Sequence, residues 1–185
     1  HRRQRVQHGP GNKKSEGSSA SVIDFRADVP DGHWLKNGVG QGYGWDSRSL
    51  DIIDVFTVHH TVSANRDWSE LEEQLHVKQI YGQHIAEGRF SPGWSAPGIG
   101  YNWRAFPSGR IYYVGSIETV RAAVANENDH IVAVAIVGTI TDIRPTEAVI
   151  EAVAQLKAAV DASLGREIAT QPHRFYGNTQ CPCNT

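Results

Sequence analysis

The sequence has few cysteines and no long apolar segment, and both shortages limit what the protein can be. Its two cysteines, Cys181 and Cys183, are separated by one residue, so a disulfide between them would close a strained ring. A disulfide-stabilised secreted framework is therefore not indicated, and a thiolate that serves a metal ion fits better. No stretch approaches the roughly 20 apolar residues of a membrane-spanning helix.

A strong net charge is also lacking. The chain of 185 residues has a net charge of −2, with 39% hydrophobic and 21% charged residues. This balance is typical of a globular domain and gives no overall preference for nucleic acid. Basic residues are concentrated near the start, at Arg2, Arg3, Arg5, Lys13 and Lys14. We interpret this basic arm as a solvated terminus, with an electrostatic anchor to an anionic wall or membrane as the alternative.

The first 45 residues differ in composition from the rest of the chain. They are rich in glycine, serine, asparagine and arginine and show no sustained periodicity, so we predict an irregular N-terminal extension over residues 1–45. We expect the side chain of Trp34, Tyr43 or Trp45 to pack on the domain and hold part of this extension against it. The chain length suits a single core, which we place in residues 46–185.

Hydrophobic periodicity predicts an α/β domain. Apolar β-rich runs alternate with amphipathic stretches, and glycine and proline mark the turns between them. The predicted order is strand, helix, hairpin, strand, helix and short strand, which gives a mixed central β-sheet flanked by helices. The predicted bounds are a strand at 52–60, a helix at 68–86, hairpin strands at 101–106 and 110–114, a strand at 131–137, a helix at 145–164 and a strand at about 167–172.

Three places along the chain concentrate residues that bind metals. His59 and His60 end the first predicted strand, His173 follows the last one, and Cys181 lies eight residues further on. Neutral imidazole and thiolate are good Zn²⁺ ligands, and three protein ligands leave a fourth position for water. Because successive strand residues point to opposite faces, only one of His59 and His60 can face a shared site. The spacing does not decide which one, and a hydrogen-bonded structural role is the alternative for each histidine.

Four short motifs occur in an order that resembles one protein family. The motifs are Val58-His59-His60-Thr61, Gly100-Tyr101-Asn102-Trp103, Val134-Ala135-Ile136-Val137-Gly138, and His173 followed by Thr179-Gln180-Cys181-Pro182. This set is similar to the type 2 N-acetylmuramoyl-L-alanine amidases, which include T7-type phage lysozymes and peptidoglycan recognition proteins. The resemblance covers about residues 52 to 183, which is essentially the whole predicted domain.

The resemblance implies a reaction and the residues that perform it. The reaction is hydrolysis of the amide between N-acetylmuramic acid and L-alanine in bacterial peptidoglycan, with one Zn²⁺ per chain. By resemblance the metal ligands are His59, His173 and Cys181. The matching catalytic residues are Tyr101 and Thr179. Without the family, Tyr101 would be interpreted as a core aromatic residue and Thr179 as a turn residue.

Four further residues are candidates for substrate contact: His60, His84, Trp94 and Asn102. For the two histidines a structural role is the default interpretation and substrate contact is the alternative, and Trp94 either stacks on a sugar ring or packs. Two departures from the family bear on this groove. Cys183 stands where relatives often have glycine, so it is a spectator, an alternative ligand or an oxidation-prone thiol. Ala122 and Ala123 stand where many relatives carry an exposed histidine.

An alternative function is a recognition module that binds peptidoglycan without cutting it. Non-catalytic members of the family usually lack the cysteine ligand, so the presence of Cys181 favours the enzyme. We expect a monomer that acts on the cell wall. The same core would serve a secreted or periplasmic autolysin, an antibacterial effector or a phage endolysin, and the sequence does not separate them.

Overall fold

The structure, a computed structural model, describes residues 21–32, 35–36, 39–40, 44–86, 88, 93–141 and 143–182. Within these ranges the chain forms a six-stranded sheet, a three-stranded sheet and two α-helices. The predictions for the basic arm, Trp34, Tyr43 and Cys183 lie outside the described residues, and for Trp94 only the backbone is described.

The main sheet mixes parallel and antiparallel strands, as predicted. The strands are β1 (Val22–Asp24), β2 (Leu35–Lys36), β3 (Val39–Gly40), β4 (Val55–His60), β5 (Trp94–Ser95), β6 (Trp103–Ala105), β7 (Ile111–Tyr113), β8 (Ile131–Ile136) and β9 (Ala169–Pro172). The main sheet has the order β1-β7-β6-β8-β4-β9, and a small sheet has the order β3-β2-β5. In the main sheet the β6–β7 hairpin is antiparallel and the other pairs are parallel. The predicted single α/β domain is confirmed.

Helix α1 (Glu70–Ile85) starts where its sequence supplies a complete cap. The Ser69 hydroxyl accepts the Glu72 backbone N–H at 3.4 Å, and the Glu72 carboxylate accepts the Ser69 backbone N–H at 2.8 Å. This reciprocal pair satisfies donors that the first helical turn leaves open. The helix ends before Ala86, whose backbone is extended, so the predicted range of 68–86 is confirmed to within two residues.

Helix α2 (Glu147–Leu164) also has the ends that its sequence predicts. The Thr146 hydroxyl accepts the Val149 N–H at 3.3 Å. Gly165 follows the helix with a φ of +68°, a left-handed conformation that glycine adopts without steric cost. Burial of each larger apolar side chain on the sheet-facing side contributes roughly 1.5–3 kcal/mol. The buried residues of this side are Val149, Ala152, Leu156 and Val160.

The main sheet is covered on both faces, as its nearly continuous apolar strands predict. One face packs against α2 through Phe56, Trp103, Val132, Val134 and Ile136. The opposite face belongs to a second cluster that includes α1 and is built around Val77, Phe106 and Tyr112. No helix in the described part of the chain is long and apolar enough to span a membrane.

Strand β1 lies within the stretch that the sequence indicated to be irregular. It pairs in parallel with β7 at the edge of the main sheet, where Ile23 lies opposite Tyr112. Phe25 and Val29, which follow the strand, are 5% and 1% exposed. The pattern did not predict this strand because three residues carry too little periodicity, and their pairing depends on a distant partner. The division of the chain at residue 45 stays a prediction.

Glu73 is a buried carboxylate that joins α1 to the β6–β7 hairpin. It is fully buried and accepts hydrogen bonds from Ser108 Oγ, Arg110 Nε and Tyr112 OH at 2.6 Å, 2.7 Å and 3.0 Å. We expect Glu73→Gln to lower the free energy of unfolding by about 3 kcal/mol, because Arg110 loses its charge partner and one acceptor becomes a donor. Urea denaturation measures this change.

The matched control for this variant is Glu70→Gln, which alters an exposed carboxylate of the same helix. It is expected to cost less than about 1 kcal/mol, since only a first-turn charge is removed. Equal losses for the two variants would show that helix charge, rather than the buried hydrogen bonds of Glu73, accounts for the effect.

Candidate metal centre

The carboxyl ends of β4 and β9 bring two histidines together. The strands are parallel, and Val58 lies opposite Pro172. His59 is the next residue of β4 and His173 is the first residue after β9, so the two lie side by side. Their ring centroids are 4.4 Å apart. Two positions that are distant in the sequence therefore meet because of a single strand pairing.

The turn that follows β9 places Cys181 beside His59 and His173. The Arg174 N–H donates to the Cys181 carbonyl at 2.7 Å, and the Cys181 side chain is buried with its Sγ 3.9 Å from Nδ1 of His59. One nitrogen each from His59 and His173 and this sulfur all lie within 4.8 Å of one another. Bonds of about 2.0–2.3 Å to Zn²⁺ place tetrahedral ligands roughly 3.5 Å apart. Small side-chain movements therefore suffice for all three to contact one ion.

His60 lies beside this cluster and is not part of it. Its Nδ1 accepts the Ile140 N–H at 3.3 Å, which holds the ring against the loop after β8. Its backbone N–H donates to Cys181 Sγ at 3.2 Å. A donor directed at sulfur favours the thiolate form, which is the form that binds metals. Among the two neighbouring histidines, the structure places the side chain of His59 in the cluster.

Both imidazoles of the cluster are neutral at physiological pH. Burial, followed by the positive charges that His173 and His60 carry when protonated, lowers the pKa of His59 to about 3. The pKa of His173 is also lowered, again by burial first and then by His60. A neutral imidazole offers its lone pair to a cation. Two such nitrogens and a buried cysteine sulfur are a donor set that Zn²⁺ prefers, so the residues fit a zinc ion.

Tyr101 lies next to the cluster. Its ring centroid is 5.1 Å from that of His59 and 6.1 Å from that of His84. The backbone before it is held by a hydrogen bond of 3.1 Å from Gly100 N–H to His84 Nδ1. A Cβ atom at Gly100 would lie 2.8 Å from the Ala122 carbonyl oxygen, so this close approach requires glycine. These contacts keep the Tyr101 ring beside His59.

Thr179 is positioned by the same turn as Cys181. Its hydroxyl oxygen accepts the Cys181 N–H at 3.2 Å, and its own N–H donates to the Gly177 carbonyl at 2.8 Å. Because the oxygen acts as the acceptor, the hydroxyl proton remains available for another partner. The half-buried Thr179 side chain thus supports the turn and keeps a donor at this end of the sheet.

The sequence profile of one family, N-acetylmuramoyl-L-alanine amidase, matches residues 49–184. This chain belongs to that family. The matched segment of the amidase domain contains His59, Tyr101, His173 and Cys181, and it excludes β1. Comparison with curated proteins gives no match.

Solved structures of recognition proteins and of amidases share the fold of this amidase domain. The ectodomain complex of peptidoglycan recognition proteins LCa and LCx with tracheal cytotoxin has a TM-score of 0.71 and 19% identity, over 89% of this chain and 90% of that one. Human PGRP-IBETAC with glycosamyl muramyl pentapeptide has a TM-score of 0.70 and 18% identity, over 89% and 90%. The endolysin amidase LysCS from Clostridium intestinale has a TM-score of 0.54 and 20% identity, over 77% and 84%. At identities of 20% or less, the similarity to these structures shows a shared fold and does not by itself assign a function.

Asn102 has hydrogen bonds inside the amidase domain that favour a structural role, and the substrate contact stays a prediction. Its side chain is fully buried. The amide oxygen accepts the Ala133 N–H at 2.9 Å, and the amide nitrogen donates to the carbonyls of Gly115 and Ser116 at 3.1 Å and 2.8 Å. These hydrogen bonds connect the backbone of β8 to the loop after β7 through the Asn102 side chain.

Two further predicted contacts have different outcomes. His84 is 7% exposed, and its Nδ1 is used by the Gly100 N–H, which favours the structural interpretation of this residue. Trp94 begins β5, and its side chain lies outside the described residues. A substrate contact by Trp94 stays a prediction.

Arg104 was not predicted to have a role, although it lies directly after the Gly-Tyr-Asn-Trp motif. The side chain is 1% exposed and sits in β6 between two buried apolar residues, Trp103 and Ala105. A charged residue within such a short apolar strand is the signal that was available in the sequence. Its place in the sheet, opposite Ala135 and Tyr112, is visible only in the tertiary structure.

Proposed function

We propose that this chain is a zinc-dependent amidase that hydrolyses the bond between the lactyl carbonyl of N-acetylmuramic acid and the amino group of L-alanine in peptidoglycan. The convergence of His59, His173 and Cys181 beside Tyr101 carries this proposal. Structural zinc sites are closed by four protein ligands, whereas catalytic sites use three and keep one position open. Among the described residues the group has three members, which supports the catalytic type.

The reaction adds water across the amide bond. The carbonyl carbon gains a hydroxyl group, the carbon–nitrogen bond breaks, and the L-alanine nitrogen gains a proton and leaves as a free amine. A zinc ion held by the three ligands supplies Lewis-acid chemistry for the carbonyl and for water. In the proposal, the Tyr101 hydroxyl donates a hydrogen bond to the carbonyl oxygen, whose negative charge grows as water adds. Thr179 offers a second hydroxyl donor for the same charge.

The proposed substrate class follows from the family and from the ligands of its structural neighbours. Two neighbours were solved with tracheal cytotoxin or with glycosamyl muramyl pentapeptide bound. The ligands bound to these neighbours indicate that the substrate is peptidoglycan, and the description of the family indicates which amide bond is cut. The three candidate metal ligands and Tyr101 are the groups that would carry out the hydrolysis.

The competing function is binding of peptidoglycan without hydrolysis. One observation favours it: the recognition proteins superpose with TM-scores of 0.71 and 0.70, against 0.54 for the endolysin amidase. Overall shape is a poorer guide to chemistry than the site, since one fold serves several functions. A binding module has no need for three converging metal ligands, so we favour the enzyme.

Release of dye from labelled insoluble cell walls tests this proposal. We expect the zinc-loaded chain to release soluble dye, EDTA to stop the release, and added Zn²⁺ to restore it, because three protein ligands bind the ion reversibly. Mass spectrometry of the products should show free stem peptides that begin with L-alanine and glycan chains that have lost them. Retention of the chain on the walls without any product would support the recognition module instead.

Two histidine variants make this experiment specific. His173→Ala is expected to abolish dye release. His130→Ala serves as the control, because His130 contacts Asp54 and Glu127 at the opposite end of β4. If both variants kept full activity, the assigned centre would not be the site of hydrolysis.

A further inference from the structure

Asp31 and Arg121 form a partly buried ion pair that joins the N-terminal segment 21–32 to the loop after β7. The two carboxylate oxygens accept hydrogen bonds from Nη1 and Nη2 of the arginine at 2.7 Å and 2.6 Å. The Arg121 side chain is 1% exposed and that of Asp31 is 34% exposed. A two-point contact of this kind fixes the orientation of both groups as well as their distance. The region that matches the amidase family contains the arginine but not the acid.

The backbone around this ion pair leaves room for it. A Cβ atom at Gly115 would lie 2.5 Å from Arg121 Cζ. A Cβ atom at Gly98 would overlap Asp31 Oδ1. Neither glycine has a positive φ, so the close approach of the two charged groups is what requires glycine there. Trp45 adds a third contact, because its Nε1–H donates to Asp31 Oδ1 at 3.1 Å.

The same pair contacts the loop before Tyr101, which connects β5 to β6. Arg121 Nη1 donates to the Ile99 carbonyl at 3.3 Å. The N–H of Gly32, which follows the acidic residue of the pair, donates to the Pro97 carbonyl at 2.6 Å. Carbonyl groups two and four positions before the tyrosine are therefore held by the ion pair and by its neighbour.

Helix α1 and the small sheet hold other parts of the loop before Tyr101. The Ala96 N–H donates to the His84 carbonyl at 3.2 Å, and the Gly100 N–H donates to His84 Nδ1 at 3.1 Å. Strand β5, from which the loop starts, pairs with β2 of the N-terminal region. The loop thus has two supports, one from the helix and one from the N-terminal part of the chain.

The loop after β7 contacts Tyr101 directly. Tyr101 and Ala123 pack against the same apolar cluster. The backbone at Gly100 approaches the Ala122 carbonyl so closely that a Cβ atom would lie 2.8 Å from its oxygen. Arg121 immediately precedes these two alanines in the chain. A shift of this arginine therefore moves the surface on which the tyrosine ring rests.

We propose that Asp31 is a positioning residue for hydrolysis: through Arg121 it fixes the two loops that place the Tyr101 hydroxyl beside the metal centre. This inference rests on the proposed amidase function. A misplacement of about 1 Å by a change far from the chemistry costs about 100-fold in rate, so a carboxylate that acts only through other residues still affects turnover. The N-terminal segment, although it lies outside the family match, then belongs to the catalytic unit.

Asp31→Asn tests this role on zinc-loaded protein with labelled peptidoglycan. The amide keeps the size of the side chain and removes its charge, which weakens the two-point contact with Arg121. We expect kcat to fall about 10-fold, with KM within about twofold and zinc affinity unchanged. In a Tyr101→Phe background the same change should lower kcat by less than about twofold, because the hydroxyl that it positions is already gone.

Asp28→Asn is the matched control. Asp28 lies in the same N-terminal segment and pairs with Lys78 of α1 at 3.0 Å, and both side chains are about half exposed. It connects the segment to the helix and not to the loop before Tyr101, so kcat should stay within about twofold of the original protein. Equal losses of kcat for the two acid variants would show that any loosening of the segment slows turnover, and would overturn the specific role of Asp31.

Hydrogen exchange gives a readout that needs no turnover. In Asp31→Asn the Gly100 amide should exchange about 10-fold faster, and by a larger factor than the Val134 amide in β8, which reports unfolding of the whole sheet. Faster exchange at Gly100 in a protein that cuts no peptidoglycan refutes the amidase function while the support of the loop stands. Unchanged or equally faster exchange at the two amides, or an equal loss of kcat in both tyrosine backgrounds, overturns the proposal.

A double variant covers the case in which Asp31→Asn fails to fold. Asp31→Asn combined with Arg121→Gln leaves no unpaired buried charge, so it should fold even where the single variant does not. We expect it to show the same loss of kcat of about 10-fold. If the double variant is folded and fully active, or if both variants unfold, the ion pair serves stability alone and the positioning role is wrong.

Discussion

Replacing Cys181 with serine is expected to remove the metal and the activity together. The sulfur is buried, lies 3.9 Å from His59 Nδ1 and receives the His60 backbone N–H at 3.2 Å. A serine hydroxyl stays protonated at neutral pH and is a weaker zinc ligand than a thiolate. Loss of outer-shell partners alone costs 10–100-fold in metal affinity. We therefore expect zinc affinity to fall by more than about 100-fold and amide hydrolysis to fall to background. Competition with a chromogenic chelator measures the affinity.

Cys183→Ser is the matched control, because it removes the other thiol of the same Cys-Pro-Cys tail. It is expected to keep the metal and most of the activity. The opposite pattern, in which Cys183→Ser loses zinc and Cys181→Ser retains it, would show that the sulfur ligand is Cys183 and that Cys181 was assigned wrongly. Circular dichroism of both variants separates metal loss from unfolding.

Replacing Tyr101 with phenylalanine is expected to reduce turnover while the metal remains. Phenylalanine keeps the ring that packs 5.1 Å from His59 and 6.1 Å from His84, and it removes only the hydroxyl. Loss of one donor to a developing oxyanion costs about 100–1000-fold in kcat. We expect a fall of this size, with zinc content unchanged and KM within about twofold, because the donor acts mainly in the transition state. Steady-state kinetics on a soluble muramyl peptide measures it.

Tyr176→Phe is a suitable control for the tyrosine experiment. Tyr176 is half-buried and packs in the cluster that includes Val55 and Val124, so the variant loses a tyrosine hydroxyl that has no proposed role in the reaction. Its kcat should stay within about twofold of the original protein. Wild-type turnover in Tyr101→Phe would remove the hydroxyl from the proposed mechanism.

Local sequence patterns predicted most of the elements, since these elements depend on nearby residues. The N-cap at Thr146 and the left-handed Gly165 bound α2 through contacts within a few positions. The apolar run that became β8 is buried along its whole length. The turn at 107–109 joins antiparallel strands whose register follows from a short loop. Each of these signals can be evaluated without knowing the rest of the fold.

The same patterns failed where a partner is distant in the sequence. Strand β1 exists because β7 offers it an edge about 90 residues later. The amide groups of Asn102 bond to the backbone of Ala133, Gly115 and Ser116, and the sequence around Asn102 gives no sign of these contacts. The buried hydrogen bonds of Glu73 connect a helix to a hairpin. None of these pairings has a local signature, because they arise when separate elements pack.

The sequence by itself determined the types and the order of the candidate metal ligands and the family to which the chain belongs. The tertiary structure decided which of two adjacent histidines contributes its side chain to the cluster. The physical reason is the two-residue period of a strand. It sends His59 and His60 to opposite faces, but only the packing of the helices and of the turn after β9 determines which face receives Cys181.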